Sequence, residues 1–264
     1  MNDLENLDGE LNERLKLMSE LTVLNTQKIH DFIHLKEDER ISGSKRDRSI
    51  VTRLDYEINL GTMNKYLARF PEDSFDGEEV HMLRKGSYFT LLEDPVDGTD
   101  HAKHFNPEHP EKKQWATYML GLLYKGEPVA FGFGAPLRKE VYWGSPTEGV
   151  HLNGKPHSPQ PSEGIIVGIN EHSHGDKLKK LCGGEHISMA GFSAWLILQG
   201  MTGGGVCPFN LPHESTCIAA AALSMGANGG NIYGRQFQSY NEQAQFVWAF
   251  PPYTIEEIIS LHRQ

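Results

Sequence analysis

Residues 88–100 read YFTLLEDPVDGTD. The apolar run Tyr88-Phe89-Thr90-Leu91-Leu92 predicts a short buried strand. It leads straight into Glu93-Asp94-Pro95-Val96-Asp97-Gly98-Thr99-Asp100, so the carboxylates stand at a strand's C-terminal end. Asp94 and Asp97, three apart and held by a proline, can converge on one or two hard cations. Magnesium takes oxygen ligands in octahedral geometry, keeps some of its waters and bridges to phosphates. Gly98-Thr99 adds backbone N–H groups suited to an anion. Asp-Gly is also common in ordinary surface turns, so the segment alone allows either reading. A second acidic group, Gly77-Glu78-Glu79, favours the cation, because a carboxylate from there could complete the same site.

Around that segment the chain alternates helix and strand patterns. Leu11, Leu15, Met18 and Leu21 have helical spacing, and a second helical stretch runs through Ile29, Phe32 and Ile33. Residues 36–48 are nearly all charged or small and read as an exposed loop. Leu54, Ile58, Leu60, Met63, Tyr66 and Leu67 predict a helix that stops at Phe70-Pro71, since proline disfavours helix at the residue before it. Residues 115–134 read as two strands joined at Lys125-Gly126-Glu127-Pro128. Glu140 to Trp143 is a further strand, and Asn153-Gly154 a hairpin turn. Beyond the Pro/Ser-rich stretch 156–163 come a strand at Ile165–Ile169 and helices over 174–181 and Phe192–Gln199. They are followed by a glycine-rich stretch at 200–205, a small-residue helix over Ile218–Met225 and a strand at Phe246–Phe250. A last helix, Thr254–His262, has Thr254 and Glu257 spaced as a capping box. Mixed elements without a strict βαβ period predict a layered α/β (α+β) protein. The composition shift near residue 160 suggests two subdomains, 1–158 and 159–264.

Charge and cysteine usage narrow the function. Asp+Glu outnumber Lys+Arg 35 to 25, a net charge of -10, which argues against nucleic acid or an anionic membrane as partner. The apolar runs at Ile165–Ile169 and Ile218–Leu223 are too short to span a bilayer. The polar, acidic first thirty residues do not resemble a leader. Cys182, Cys207 and Cys217 are odd in number and lack metal-site spacing, so they read as reduced thiols of a cytoplasmic protein. His101, His104, His109, His172 and His174 read as solvated loop residues.

Three boxes in order, Thr52-Arg53-Leu54-Asp55, Gly77-Glu78-Glu79 and Asp94-Pro95-Val96-Asp97-Gly98-Thr99, resemble the inositol monophosphatase superfamily over residues 40–260. The resemblance implies the αβαβα sandwich of the inositol monophosphatase and fructose-bisphosphatase type. It implies a Mg²⁺-dependent, lithium-sensitive phosphomonoesterase with two or three ions, acting on a small polyol, inositol or sugar phosphate, and a homodimer. By resemblance Glu78 and Asp94 hold the first ion, with the Val96 carbonyl. Asp97 binds the second ion, which Asp94 bridges. Glu79 is a weaker candidate for contact. Gly98 and Thr99 hold the phosphate, next to Asp97. Thr99 and Asp55 polarise the attacking water near Glu78.

The chain departs from the pattern downstream. The family's W-D-x-A-A box falls on Thr216-Cys217-Ile218-Ala219-Ala220, with Gly229-Gly230 ending the helix. A soft thiol at the aspartate position suits magnesium poorly. Glu214, three residues earlier, either reaches back as a substitute or is solvated, leaving the second ion weakly held. The solvated reading is preferred here. Asp100-His101-Ala102-Lys103-His104-Phe105 reads as a variable rim loop, and 200–212 lacks the acidic residues relatives carry. Two other readings stay open: a 3'(2'),5'-bisphosphate nucleotidase, faintly suggested by 165–174, and a catalytically weak relative with a binding or regulatory role.

Overall fold

A computed structural model of the chain describes residues 2–36, 53–106, 115–162, 166–167, 190–207, 212–231 and 246–262. The expected loop after Lys36 and the expected helix at 174–181 lie outside these residues.

Helix α1 (Asn2–Ile33) is continuous where the sequence suggested two stretches. Leu11, Leu15, Met18, Leu21, Ile29 and Ile33 are all buried along one stripe. Thr22 and Asn25 fill the interval as buried polar residues, so the stripe is unbroken in space though not in hydrophobicity. Helix α2 (Arg53–Arg69) lies beside it and ends where Phe70-Pro71 predicts. The Arg14 guanidinium donates to both carboxylate oxygens of Asp73, at 2.8 and 2.9 Å, and Tyr66 donates its hydroxyl to the same group.

These helices cover one face of an eight-stranded sheet. Its strands are β1 (Ser74–Gly77), β2 (His81–Met82), β3 (Phe89–Asp97), β4 (Thr117–Tyr124), β5 (Glu127–Ala135), β6 (Glu140–Ser145), β7 (Gly149–Leu152) and β8 (Lys155–His157). The order is β2-β1-β3-β4-β5-β6-β7-β8, antiparallel except for the β1–β3 pair. The turns at Lys125-Gly126 and Asn153-Gly154 both carry two successive positive φ angles, the geometry that matches strand twist in two-residue hairpins. Alternation sorts the side chains. Tyr118, Leu120 and Leu122 face α1 and α2, while Met119, Phe131 and Phe133 face the other way.

On that other face pack α4 (Ala190–Leu198) and α5 (Pro212–Ser224), after the short α3 (Thr99–Lys103). Helix α5 approaches β4 closely: a Cβ on Gly121 would meet the Thr216 side chain at 2.6 Å and the Cys217 nitrogen at 2.9 Å. Behind the two helices stands a second sheet of β9 (Ile166–Val167), β10 (Gly204–Val206), β11 (Asn228–Asn231) and β12 (Phe246–Ala249), ordered β11-β12-β10-β9. Helix α6 (Ile255–His262) closes it, burying Ile258 against Val206, Val247 and Ala249. The layers are therefore helix, sheet, helix, sheet, helix, as expected.

Two local expectations need correction. Gly229-Gly230 belongs to β11. Helix α5 ends at Ser224, followed by Gly226 at φ 87°, with the Ala227 N–H bonded back to the Ala222 carbonyl. Residues 100–103 are helix α3, and Lys103 is buried in it. The capping box at α6 is formed on both sides: Glu257 N–H donates to Thr254 Oγ1 at 3.2 Å, and Thr254 N–H to Glu257 Oε2 at 2.8 Å. Thr254→Ala is expected to cost about 1 kcal/mol. A thermal melt should fall by about 2–4 °C, and an unchanged melt would show that the cap does not support this outer layer.

Candidate metal centre

Strand β3 does not stop at Leu92; it continues through Asp97. Pro95 has no N–H for the ladder. The pairing accordingly slips, from Asp94 opposite Met119 to Asp97 opposite Thr117. Two residues, Pro95 and Val96, thus oppose one, a bulge. In a regular strand, residues three apart point to opposite faces. The bulge removes that mismatch and turns Asp94 and Asp97 to the same side, toward α4 and α5. Glu93 points the other way and accepts from Asn59 Nδ2 (2.5 Å), Thr62 Oγ1 (2.7 Å) and the Tyr118 hydroxyl (2.5 Å).

That buried network also positions Glu78. Asn59 Oδ1 accepts from the N–H groups of Glu79 and Val80, both at 2.9 Å, and Glu78 N–H donates to the Glu93 carbonyl at 3.1 Å. Gly77 is required here, because a Cβ would collide with the Asn59 amide. Asp55, in the first turn of α2, is 2 % exposed and accepts from Thr99 Oγ1 at 3.3 Å. The same hydroxyl lies 2.8 Å from the Val96 carbonyl. Gly98, at φ 83°, makes the turn from β3 into α3, a conformation that favours glycine.

From the opposite side, α5 contributes His213 and Glu214, each 9 % exposed. The ligand-capable atoms of Asp94, Asp97 and Glu214 lie within 4.8 Å of one another, as do those of Glu78, Asp94 and His213. The preferred expectation for Glu214, that it is solvated, is corrected: the helix begins at Pro212 and its first turn turns inward. His213 was missed entirely. A Pro-His-Glu run opening a helix that heads into an acidic cluster was its only sequence signal. Cys217 belongs to neither group. Its thiol is buried, 3.6 Å from the Gly132 carbonyl, and burial pushes its pKa up, with Asp94 and Asp97 acting in the same direction. It is expected to resist thiol reagents in the native chain, as read by mass spectrometry. Rapid native labelling at Cys217 would contradict that burial.

The electrostatics are those of crowded acids. Burial pushes Asp94 well above the usual carboxylate range, and its neighbours Asp97, Glu78, Glu214 and Asp55 push the same way. Glu78 rises to about 7 through desolvation, then Asp55, Glu79 and Asp97. Glu214 rises to about 8 through burial, then Asp97 and Glu78. Asp97 rises to about 6 by burial, against the pull of its bonds from Gly191 N–H (2.7 Å) and Thr117 Oγ1 (3.2 Å). Among the described residues Asp94 Oδ1, Glu214 Oε2 and His213 Nε2 are buried without a hydrogen-bond partner. Orphaned buried acceptors among like charges fit a divalent cation. Of the histidines read as solvated, His101 is half-buried in α3 and accepts from Trp115 N–H at 3.1 Å. His109, His172 and His174 lie outside the described residues.

The chain thus combines a five-layer αβαβα scaffold with an acidic cluster at the bulged end of strand β3. The family model of the inositol monophosphatase family matches residues 16–184, and the chain belongs to that family. Its fold is similar to an inositol monophosphatase from Zymomonas mobilis (17 % identity, 96 % of this chain and 98 % of that one, TM-score 0.67). It is also similar to an IMPase of Thermotoga maritima (16 % identity, 97 % of each chain, TM-score 0.66). A structure described as an IMPase/NADP phosphatase complexed with NADP and Ca²⁺ is similar too (18 % identity, 94 % of each chain, TM-score 0.66). A curated relative, the fructose-1,6-bisphosphatase/inositol-1-monophosphatase of Aquifex aeolicus (strain VF5), is 25 % identical over 137 residues. That match spans 50 % of this chain and 49 % of the relative. Among the described residues no helix is long and apolar enough to cross a membrane.

Proposed function

We propose that the chain is a divalent-metal-dependent phosphomonoesterase acting on a small polyol, inositol or sugar phosphate through an activated water. The observation that carries this reading is the convergence of Glu78, Asp94, Asp97 and Glu214, with orphaned acceptor atoms, on a scaffold of this family. Glu78, Asp94, Asp97 and the Val96 carbonyl are the residues to hold the ions, with Glu214 in place of an aspartate at position 217. Bound cations supply charge neutralisation, a more acidic water and stabilisation of the leaving oxygen. The remaining work falls to the chain. The Thr99 hydroxyl and Asp55 form the pair to orient the attacking water and take its proton. The main-chain N–H groups of Gly98 and Thr99, at the turn into α3, are the ones to hold the phosphate.

The test is phosphate release from inositol phosphates, sugar phosphates, fructose bisphosphate, NADP, 3'-phosphoadenosine 5'-phosphate and an aryl phosphate. Each is run with Mg²⁺, with chelator, and with Mg²⁺ plus Li⁺. Metal-dependent turnover of one class is expected. Turnover confined to the bisphosphate nucleotide would favour a nucleotidase, and no turnover from folded protein would favour a binding role. The homodimer expected from the family resemblance is measured separately by sedimentation.

A further inference from the structure

We propose that His213 is a metal ligand, giving the centre a mixed nitrogen-and-oxygen donor set that takes a divalent transition-metal ion in preference to Mg²⁺. The inference rests on the metal reading of Glu78 and Asp94 above and adds the identity of the ion.

Helix α5 opens with Pro212 and presents two consecutive residues to the acidic cluster. Successive helical residues are about 100° apart around the axis, and the two are shared between the two groupings. His213 joins Glu78 and Asp94, and Glu214 joins Asp94 and Asp97, so Asp94 is common to both. His213 is 9 % exposed, and its Nε2 is buried with no hydrogen-bond partner among the described residues. An imidazole nitrogen withdrawn from water without a partner is costly. The same imidazole offers a ligand atom within 4.8 Å of those of Glu78 and Asp94, and an ion held there explains the unpartnered ring. Oxygen-only sets suit Mg²⁺, whereas imidazole suits later first-row ions. Cys217, the residue at the expected ligand position, faces the Gly132 carbonyl and adds nothing to either group. The donors come instead from one turn earlier on the helix, and one of them is nitrogen.

The experiment uses binding and spectroscopy on the full chain, with Co²⁺ and Mn²⁺ as probes and no substrate. Wild type, His213→Gln, His213→Leu and Asp94→Asn are compared, each first checked for folding by a metal-free thermal melt. Wild type is expected to show nitrogen coupling to bound Mn²⁺ in pulsed EPR and to hold Co²⁺ against excess Mg²⁺. Both His213 variants should lose the coupling and about tenfold or more in Co²⁺ affinity, the loss typical of perturbing a metal site, with Mg²⁺ affinity little changed. Absence of nitrogen coupling in wild type, or unchanged Co²⁺ affinity in both His213 variants, overturns the proposal. If Asp94→Asn also leaves Co²⁺ binding intact, the metal reading of the whole cluster fails as well, and the two failures are thereby told apart.

Discussion

Asp94→Asn is expected to abolish divalent-ion binding while raising the melting temperature of the metal-free chain at pH 8. Asp94 is the member common to both ligand groupings, and the groups that act on it are all acidic. A bound ion supplies several kcal/mol of charge stabilisation. At about 1.4 kcal/mol per tenfold, metal-dependent phosphate release should fall on the order of 10³-fold. The stability effect has the opposite sign. Glu78, Asp97 and Glu214 are raised to about 7, 6 and 8, and burial among these acids holds Asp94 well above the usual carboxylate range. Between pH 4 and 8 the folded chain therefore keeps protons that the unfolded chain has released. Stability without metal falls as pH rises through that window. Asn carries no charge into the cluster, so the variant and wild type should melt together near pH 4 and separate toward pH 8. A tenfold change in a carboxylate's proton affinity on folding corresponds to about 1.4 kcal/mol, and a chain of this size moves about 2–4 °C per kcal/mol, so the gap should open by about 3–6 °C for each tenfold. Saturating metal should raise the wild-type melt at pH 8 and leave the variant where it is. A variant that melts below wild type at pH 8 would falsify the picture of a repelling acidic cluster.

Legibility in the sequence followed the range of the contacts. Asp94, Asp97 and Thr99 were legible because strand, proline and Asp-Gly turn are neighbours in the chain. The bulge that puts the two aspartates on one face was not legible, because it depends on the partner strand's register. Strand β1 was not expected, since Ser-Phe-Asp-Gly resembles a turn and becomes a strand only by parallel pairing with β3. Glu93 looked like one more acid of the metal segment. It is instead fully buried on the opposite face, held by Asn59 and Thr62, which lie 34 and 31 residues away. Glu214 and His213 were misjudged for one reason: the helix was expected to start at Ile218, and its true start at Pro212 turns both residues inward.

Gly191→Ala tests how the second half of the chain fixes Asp97, and its effect should be the largest on stability. Gly191 N–H donates to Asp97 Oδ2 at 2.7 Å, and Thr117 Oγ1 donates to the same oxygen at 3.2 Å. Three elements, α4, β3 and β4, thus meet at one carboxylate oxygen. A Cβ on Gly191 would collide with Thr117 Oγ1 and stand 2.6 Å from Asp97 Oδ2. Neither neighbour can yield cheaply, since Thr117 is fully buried and Asp97 nearly so. Overpacking costs about 1–3 kcal/mol, and weakening a hydrogen bond to a charged group about 1.5–3 kcal/mol. A fall of roughly 5–24 °C in the melt follows at about 2–4 °C per kcal/mol, with weaker ion binding because Asp97 loses its fixed orientation. Gly9→Ala is the control. Gly9 sits in α1 with nothing within 4 Å of its would-be Cβ, and Ala there should stabilise by about 0.5–1 kcal/mol. Were both variants to melt like wild type, α4 could not be what holds Asp97 toward Asp94. The cluster's geometry would then rest on the bulge alone.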